Sequence, residues 1–230
     1  MKFLITSSLL DGYDWLKSCP KSWKNKALDE FYSTIRREKR LVSKETQRGI
    51  EFEKLICDNC NKMTDGELKT FVYDYYKSVG VKDEIRLSNA AFVACCIAGR
   101  CKNGEQQVKL SKDICIDGED YELFGYADIL HKDRIVDIKT TKNYKEGYLY
   151  VKRSQHYIYS ICSGITKFEY DVADFNESDS PWSFKSIEFE MNMEENFSII
   201  ESRIKDVVDY MKKSNLFDDY ESVFSAKHED

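Results

Sequence analysis

The spacing of apolar residues changes at Gln106, and this change constrains the fold more than any other feature of the chain. Upstream, apolar residues recur at helical intervals, which predicts helices at 6–19, 23–35, 43–61, 68–77 and 83–98. Thr6 and Ser43 are suited to cap two of these helices, and Gly99 is expected to end the last one. The first 104 residues are therefore predicted to be mainly helical.

Downstream of Gln106 the apolar residues alternate, as they do in strands with one buried face. This alternation predicts strands at 106–116, 121–130 and 134–140, a helix at 153–162, strands at 168–172 and 184–191, and a helix at 192–214. Asp117 and Gly118 are typical of a hairpin turn, and Gly164 is expected to end the helix at 153–162. Because a helical crossover follows an antiparallel hairpin, we expect an α/β fold with a mixed sheet.

The chain has 230 residues, which predicts a single domain with a helical half (1–104), a core (105–214) and a C-terminal tail (215–230). No apolar run reaches the roughly 18 residues of a membrane-spanning helix. The apolar run after Met1 is too short for a signal peptide. These observations predict a cytoplasmic protein with no membrane partner, whose eight cysteines are mostly reduced thiols.

The net charge of −6 argues against a protein that coats nucleic acid in general. It does not argue against a nuclease, because metal-binding residues are themselves acidic and a local basic strip can contact phosphates. Such a strip is formed by Lys142, Lys145, Lys152 and Arg153. On charge alone, these residues are equally well explained as a solvated loop.

Two aspartates and a lysine lie on consecutive predicted strands. Asp128 is in the segment GYADIL, and Asp137 and Lys139 are in the segment IVDIKTT. Because strand side chains alternate between faces, Asp137 and Lys139 point the same way. Aspartates in hairpins are usually exposed, but these flank apolar strands, which favours a functional role. Two acids and a lysine on a hairpin are the groups that metal-dependent phosphodiester cleavage uses.

Glu53 is a third candidate, because it lies on an apolar face of its predicted helix. The positions that share this face are Ile50, Ile56, Cys57 and Cys60. An unpaired carboxylate there is unfavourable, so a divalent metal or a buried lysine is expected to neutralise it. Gly49, one turn earlier, is expected to let another backbone approach. The alternative is a structural glutamate in a salt bridge.

Gln155 and Tyr159 are four residues apart and share one face of the predicted helix 153–162. On the residues alone, Tyr159 is expected to pack in the core. His156 lies off this face. Together with His131 and His228 it is expected to be exposed, so no histidine metal site is predicted.

The pattern Asp128, Asp137-x-Lys139 and Gln155-x-x-x-Tyr159 resembles the PD-(D/E)XK nucleases. Within them, the chain is similar to the RecB-type and lambda-exonuclease-like branch, whose G-x-x-x-(E/H) helix corresponds to the segment from Gly49 to Glu53. The resemblance covers about residues 6–163. It implies a restriction-endonuclease-like fold, in which helices flank a mixed β-sheet.

The resemblance also implies residue roles. Glu53, Asp128, Asp137 and the carbonyl of Ile138 would hold Mg²⁺ or Mn²⁺, hard cations that bind oxygen ligands. Lys139 would orient the attacking water and stabilise charge on the phosphoryl group. Gln155 would support Lys139 or the scissile strand. The candidate DNA contacts are Thr140, Thr141, Lys142, Arg153 and Tyr159.

The predicted function is a metal-dependent deoxyribonuclease, an exonuclease of the phage recombination or repair type that acts on single- or double-stranded DNA with a free end. One alternative is a catalytically silent nucleic-acid-binding protein on the same fold. The other is a restriction-type endonuclease whose helical N-terminal half supplies a recognition element. An oligomer is compatible with the sequence, but no interface can be read from it.

The cysteines leave a further alternative. Cys57-x-x-Cys60 has the spacing of half a metal site, with Cys95, Cys96 and Cys101 nearby in the sequence, but packing as small apolar side chains is favoured. Some relatives in the superfamily carry an iron–sulfur cluster on one early and three late cysteines. Cys19-Pro20 is similar to the early position, but no cysteine follows Cys162, so that pattern is missing.

Overall fold

The computed structural model describes residues 2–38, 42–145 and 148–224, and it shows a six-stranded mixed sheet between two layers of helices. The helices are α1 (Ser7–Ser18), α2 (Lys24–Ile35), α3 (Lys44–Asn59), α4 (Asp65–Ser78), α5 (Glu84–Cys101), α6 (Tyr148–Val151), α7 (Gln155–Ser163), α8 (Met193–Lys213) and α9 (Phe217–Phe224). The strands are β1 (Lys2–Thr6), β2 (Glu105–Ile116), β3 (Glu119–Leu130), β4 (Arg134–Thr141), β5 (Lys167–Asp174) and β6 (Ser183–Glu190). The predicted α/β class is confirmed.

Local signals in the sequence fix several of these boundaries. The hydroxyls of Thr6 and Ser43 accept backbone hydrogen bonds from the first turns of α1 and α3. Asp117 and Gly118 have φ angles of 52° and 83°, as a tight hairpin turn requires. Gly164 ends α7 in the left-handed conformation. Each of these features was predicted.

Several features of the fold differ from the prediction, among them the short helix α6, which was not predicted. β1 was not predicted, and it pairs in parallel with the first half of β3. α9 lies where a tail was predicted, and its buried Tyr220 donates a hydrogen bond to the Leu4 carbonyl at 3.0 Å. Gly99 does not end α5, which continues to Cys101. Gly99 is exposed, with open space where a side chain would lie, so no neighbouring group prevents a helical conformation there. The only cost is the low helix propensity of glycine.

β3 has different neighbours along its length, and this opens the sheet. β2 pairs with β3 along one edge, antiparallel. Along the other edge β1 pairs with residues 120–124, whereas β4 pairs only with Ile129 and Leu130. β4 continues in parallel pairing with β5 over residues 134–141, and β5 pairs antiparallel with β6. Residues 125–128 of β3 therefore face an opening between β1 and β4.

The apolar core has one part on each face of the sheet. α1, α2, α7, α8 and α9 cover the first face, and α3, α4 and α5 cover the second. In β4, Ile135 belongs to the first part, whereas Val136 and Ile138 belong to the second. Asp137 therefore points towards the first layer, where α7 lies. None of the described helices combines the length and apolar character needed to cross a membrane.

Arg100, near the end of α5, ties the helical half to the sheet. Its guanidinium lies 3.0 Å from Asp171 and 2.8 Å from Glu169, both on β5, and donates to Ser186 on β6. Asp171 is fully buried, and this burial raises the pKa of its carboxyl to about 6 even though Arg100 lowers it. Arg100 is thus the counterion of a buried carboxylate.

The eight cysteines are free thiols in the structure. Cys57, Cys60 and Cys101 are buried in the core of the second face, whereas Cys95 and Cys96 are partly exposed. Burial raises the pKa of the Cys57 thiol to about 12, which favours its neutral form. Their positions are those of packing residues, the favoured alternative.

Candidate active site

The site begins where β3 and β4 separate. Continuing their register would place Asp128 opposite Asp137, but regular pairing stops one step earlier, at Ile129 and Val136. The Asp128 carboxylate occupies the opening instead, and its Oδ2 accepts a hydrogen bond of 2.8 Å from the backbone N–H of Ile138. The Asp128 side chain therefore takes the place of a backbone hydrogen-bond partner for Ile138. Asp128 and Asp137 are thereby brought together on opposite sides of the gap.

Asp137 is the most enclosed member of the site, with no exposed surface. Its Oδ2 lies 2.6 Å from the Lys139 ammonium, and its Oδ1 accepts a hydrogen bond from the Gln155 amide. Gln155 also donates to the Tyr159 hydroxyl at 3.2 Å. The lysine side chain remains 34% exposed and lines a cavity. Gln155 holds Asp137 directly and Lys139 through Asp137.

Glu53 reaches the same site from α3. It is half-buried, and its Oε1 accepts a hydrogen bond of 2.9 Å from the side-chain amide of Gln107. The same amide lies 3.3 Å from Oδ1 of Asp128. Gln107 therefore bridges Glu53 and Asp128.

Gln107 was missed in the sequence, and the reason is conformational. Its φ of 50° is left-handed, which is rare for a residue inside a strand. The ladder between β2 and β3 pairs Gln106 with Ile129 and Val108 with Ala127, and it skips Gln107 and Asp128. No alternation pattern shows such a distortion. The only signal available was the position of Gln107 directly across the hairpin from Asp128.

The surroundings of Glu53 are less apolar than predicted. Ile50, expected on the same face, is 50% exposed, so the predicted apolar stripe is wrong at that position. Gly49 does permit a close approach, but of a side chain and not of a backbone. A Cβ at Gly49 would lie 2.6 Å from Oγ1 of Thr140. The contact fastens α3 to the end of β4, beside the site.

Burial and mutual repulsion make the three carboxylates hard to ionise. Desolvation, followed by the charge of Asp137, raises the pKa of Asp128 well above its usual range and raises the pKa of Glu53. Desolvation also raises the pKa of Asp137, although Lys139 opposes this. The same pairing raises the pKa of Lys139, which keeps its ammonium protonated at neutral pH. Within the described part of the chain, the site therefore has one cationic side chain, Lys139, to offset three acidic ones.

The pKa of Glu53 leads to a prediction about metal-free protein. At neutral pH, Glu53→Gln is expected to leave the melting temperature unchanged or slightly higher, because the substitution removes a disfavoured charge and keeps an acceptor for Gln107. Since the folded-state pKa is raised, wild type gains stability as the pH falls through it, and the advantage of the variant should disappear. Thermal melts in EDTA across pH measure this, with Glu51→Gln, exposed on the same helix, as control. A large loss of melting temperature at neutral pH would show a structural glutamate.

Other predicted site residues are placed around a cavity of about 600 Å³ that opens beside Lys139. Thr140, Thr141, Arg153 and Gln155 line it, together with Lys145 of the basic strip. Lys142 is exposed and lies outside the described lining. Tyr159 is buried, and its ring fills the space where a Cβ on Gly125 would clash. Its position agrees with the packing role that was favoured.

The structure adds Asp11 of α1 to this region, which the sequence did not suggest. Its Oδ1 accepts a hydrogen bond of 2.7 Å from the Ser154 N–H, and its Oδ2 lies 3.6 Å from Arg153. Because Ser154 is the N-cap of α7, Asp11 anchors the helix that carries Gln155. Its contribution depends on a contact between residues 143 positions apart, which no local pattern reports.

The histidine prediction is wrong at two positions. His156 is buried, with its Nδ1 3.1 Å from the Tyr170 hydroxyl, and burial lowers its pKa to about 3. His131 is half-buried, and its Nε2 lies 3.0 Å from the Arg100 carbonyl. Both contacts are tertiary, so helix and strand periodicity do not reveal them. His228 lies outside the described residues.

Comparison with known proteins gives weak likenesses only. No protein-family model matches the chain, and no curated protein matches its sequence. Among solved structures, SSO0001 is 14% identical with a TM-score of 0.46, over 91% of this chain and 77% of that one. An alkaline exonuclease (LHK-Exo) from Laribacter hongkongensis is 13% identical with a TM-score of 0.43, over 92% of each chain, and so is its complex with dAMP. At such values, a functional conclusion has to come from the site.

Proposed function

We propose that this chain is a divalent-metal-dependent nuclease that hydrolyses DNA. The observation that supports this most directly is the Asp137–Lys139 pair at the edge of a cavity, with the carboxylates of Asp128 and Glu53 beside it and bridged by Gln107. Three neighbouring carboxylates that resist ionisation are unfavourable for a fold, since apolar side chains of similar size would pack there at no electrostatic cost. Clusters of this kind are found mainly where chemistry needs them.

The donor set fits a hard divalent cation. Glu53, Asp128 and Asp137 provide carboxylate oxygens, and the predicted fourth ligand, the Ile138 carbonyl, follows Asp137 directly. Among the described residues, no group of three or more acidic, histidine or cysteine side chains is already arranged as a metal site. The Gln107 amide and the Lys139 ammonium instead donate to these carboxylates. The fit therefore rests on the chemistry of the donors. To bind a metal, Glu53 and Asp128 have to give up their hydrogen bonds with the Gln107 amide.

The protein's own residues then have separable tasks. Glu53, Asp128 and Asp137 would hold the cation, Mg²⁺ or Mn²⁺, which would supply an activated water and a Lewis acid for the phosphoryl oxygen. Lys139 holds its proton and offers a positive charge to the phosphate where negative charge develops. Gln155 keeps Asp137 in place. Thr140, Thr141 and Arg153 line the cavity that receives the phosphate backbone.

The finer form of the proposal is an exonuclease of the phage recombination or repair type. The cavity beside Lys139 supports it, because a strand end enters a concavity more easily than a continuous duplex does. Purified protein is incubated with linear and closed circular DNA, single- and double-stranded, with Mg²⁺, Mn²⁺ or EDTA. We expect metal-dependent loss of linear DNA and intact circles. Cleavage of circles indicates an endonuclease, and retardation without cleavage indicates a silent binder.

A further inference from the structure

A trough of two adjoining cavities lies along α1 and the start of α7. The first is the cavity of about 600 Å³ beside Lys139. The second, of about 710 Å³, is lined by Asp14, Lys17, Ser18, Lys152 and Arg203. Both are also lined by Asp11, Trp15 and Arg153, which therefore form the wall between them. A ligand that leaves the candidate active site in this direction passes over Trp15.

The trough is positively charged although the chain carries −6. Its described cationic residues are Lys17, Lys139, Lys145, Lys152, Arg153 and Arg203, against the acids Asp11 and Asp14. Asp11 lies 3.6 Å from Arg153, and Asp14 lies 3.6 Å from Arg203. Lys17 lies 3.1 Å from both Asp14 and Asp206, and Lys139 pairs with Asp137, so much of this charge is neutralised locally. Among the described residues, Lys145 and Lys152 form no ion pair and supply the excess. The remaining excess favours an anionic chain that follows the trough.

Trp15 gives the trough an aromatic surface at its centre. The side chain is 41% exposed, and Tyr144 and Tyr150 add aromatic rings to the first cavity. A single exposed tryptophan needs no explanation in itself, but this one stands between two cationic cavities. Aromatic faces in a cationic groove are the means by which proteins bind single-stranded nucleic acid without reading its sequence, because every base has a face that can stack.

This arrangement selects the form of the substrate. Within a duplex, both faces of a base are covered by its neighbours, so a side chain stacks only on a base that has left the helix. Each cavity has a volume in the range of small-molecule sites, about 300–1,000 Å³, which suits a nucleotide and not a duplex. A strand end with unpaired nucleotides satisfies both conditions.

We propose, on the basis of the proposed nuclease function, that the trough binds the unpaired end of a DNA strand, with a base stacked on Trp15 and the neighbouring phosphate at Lys139. The substrate class is therefore a single strand, or a duplex with a single-stranded or frayed end. Trp15 is a specificity-determining residue and Lys139 a catalytic one.

Binding is measured apart from cleavage by tryptophan fluorescence in EDTA. The chain has three tryptophans, and Trp23 and Trp182 lie outside the described linings of both cavities. In a Trp23→Phe/Trp182→Phe variant, Trp15 is the sole emitter. We expect saturable quenching by a short oligothymidylate and none by a closed, relaxed circular duplex, which has no ends and no unpaired loop. The matched control is Trp15→Phe/Trp182→Phe, in which Trp23 alone emits and should not respond.

Affinity for the oligothymidylate is then compared among single substitutions. Trp15→Ala should weaken binding about ten- to a hundredfold, Trp15→Phe should retain most of it, and Trp23→Ala should leave it unchanged. Circular dichroism shows whether each variant is folded, and Trp15→Phe keeps the test valid if Trp15→Ala is not. Cleavage of linear DNA without quenching of Trp15 overturns the proposed binding of a strand end in the trough and leaves the proposed nuclease activity standing. Equal quenching by the closed duplex also overturns it. Quenching without cleavage supports the trough and contradicts the nuclease.

Discussion

Lys139→Ala should lower the turnover number for DNA cleavage by about two to four orders of magnitude, with little change in DNA binding. The positive charge of Lys139 acts on the phosphate, and it matters most when negative charge builds up there in the transition state. We therefore expect kcat to fall by a larger factor than KM changes. The carboxyl of Asp137 withstands the loss of its cation, because burial already favours its neutral form and Gln155 still donates to it. The fold is therefore expected to persist.

The measurement is steady-state cleavage of linear DNA together with gel retardation in EDTA. Lys185→Ala is the matched control, because Lys185 lies in the same row of the sheet, two strands away through Val172, and is exposed. Asp137→Asn should abolish cleavage in the same assays, since it removes a charge that the cation requires. A Lys139→Ala protein that cuts DNA at the wild-type rate would refute the role assigned to this lysine.

Arg100→Met should destabilise the protein by about 3–5 kcal/mol, the range for removing one partner of a buried ion pair. The substitution leaves Asp171, which is fully buried, without its counterion. The free energy of unfolding from urea titrations measures the loss. Arg100→Met combined with Asp171→Asn should recover a large part of it, and a double variant no more stable than Arg100→Met would contradict the counterion role.

The loss of stability of Arg100→Met is expected to depend on pH. The pKa of Asp171 in the folded wild type is raised to about 6, above its unfolded value, so protonation stabilises the fold as the pH falls through this window. Without Arg100 the pKa rises further, because a contact that lowers it is gone. The deficit of Arg100→Met should therefore shrink as the pH is lowered from neutral towards about 6. A deficit independent of pH would mean that lost packing dominates.

Sequence reasoning succeeded where one local pattern determines the structure. The hairpin around Asp117 and Gly118, the helix caps at Thr6 and Ser43, and the stop at Gly164 each depend on a few neighbouring residues. Strand alternation alone also places Asp137 and Lys139 on one face, where the structure shows them paired. Such features need no knowledge of which distant segments meet.

Sequence reasoning failed where contacts with a distant segment determine the local structure. β1 is a strand because residues 120–124 offer it an edge, and α9 is a helix docked on β1 through Tyr220. His156 is buried by strands that follow it in the chain. Gln107 enters the site through a left-handed backbone that no alternation pattern contains. Each case depends on contacts that composition and periodicity do not encode.

The separation of β3 from β4 has a mechanical consequence. Two residue pairs join these strands, whereas β4 is joined to β5 by eight. The sheet therefore consists of two leaves, one built on β1, β2 and β3 and the other on β4, β5 and β6, with a weak seam between them. Asp128 belongs to the first leaf and Asp137 to the second. A cation bound by both, as proposed above, would link the two leaves across the seam and would therefore stabilise the sheet as well as the site.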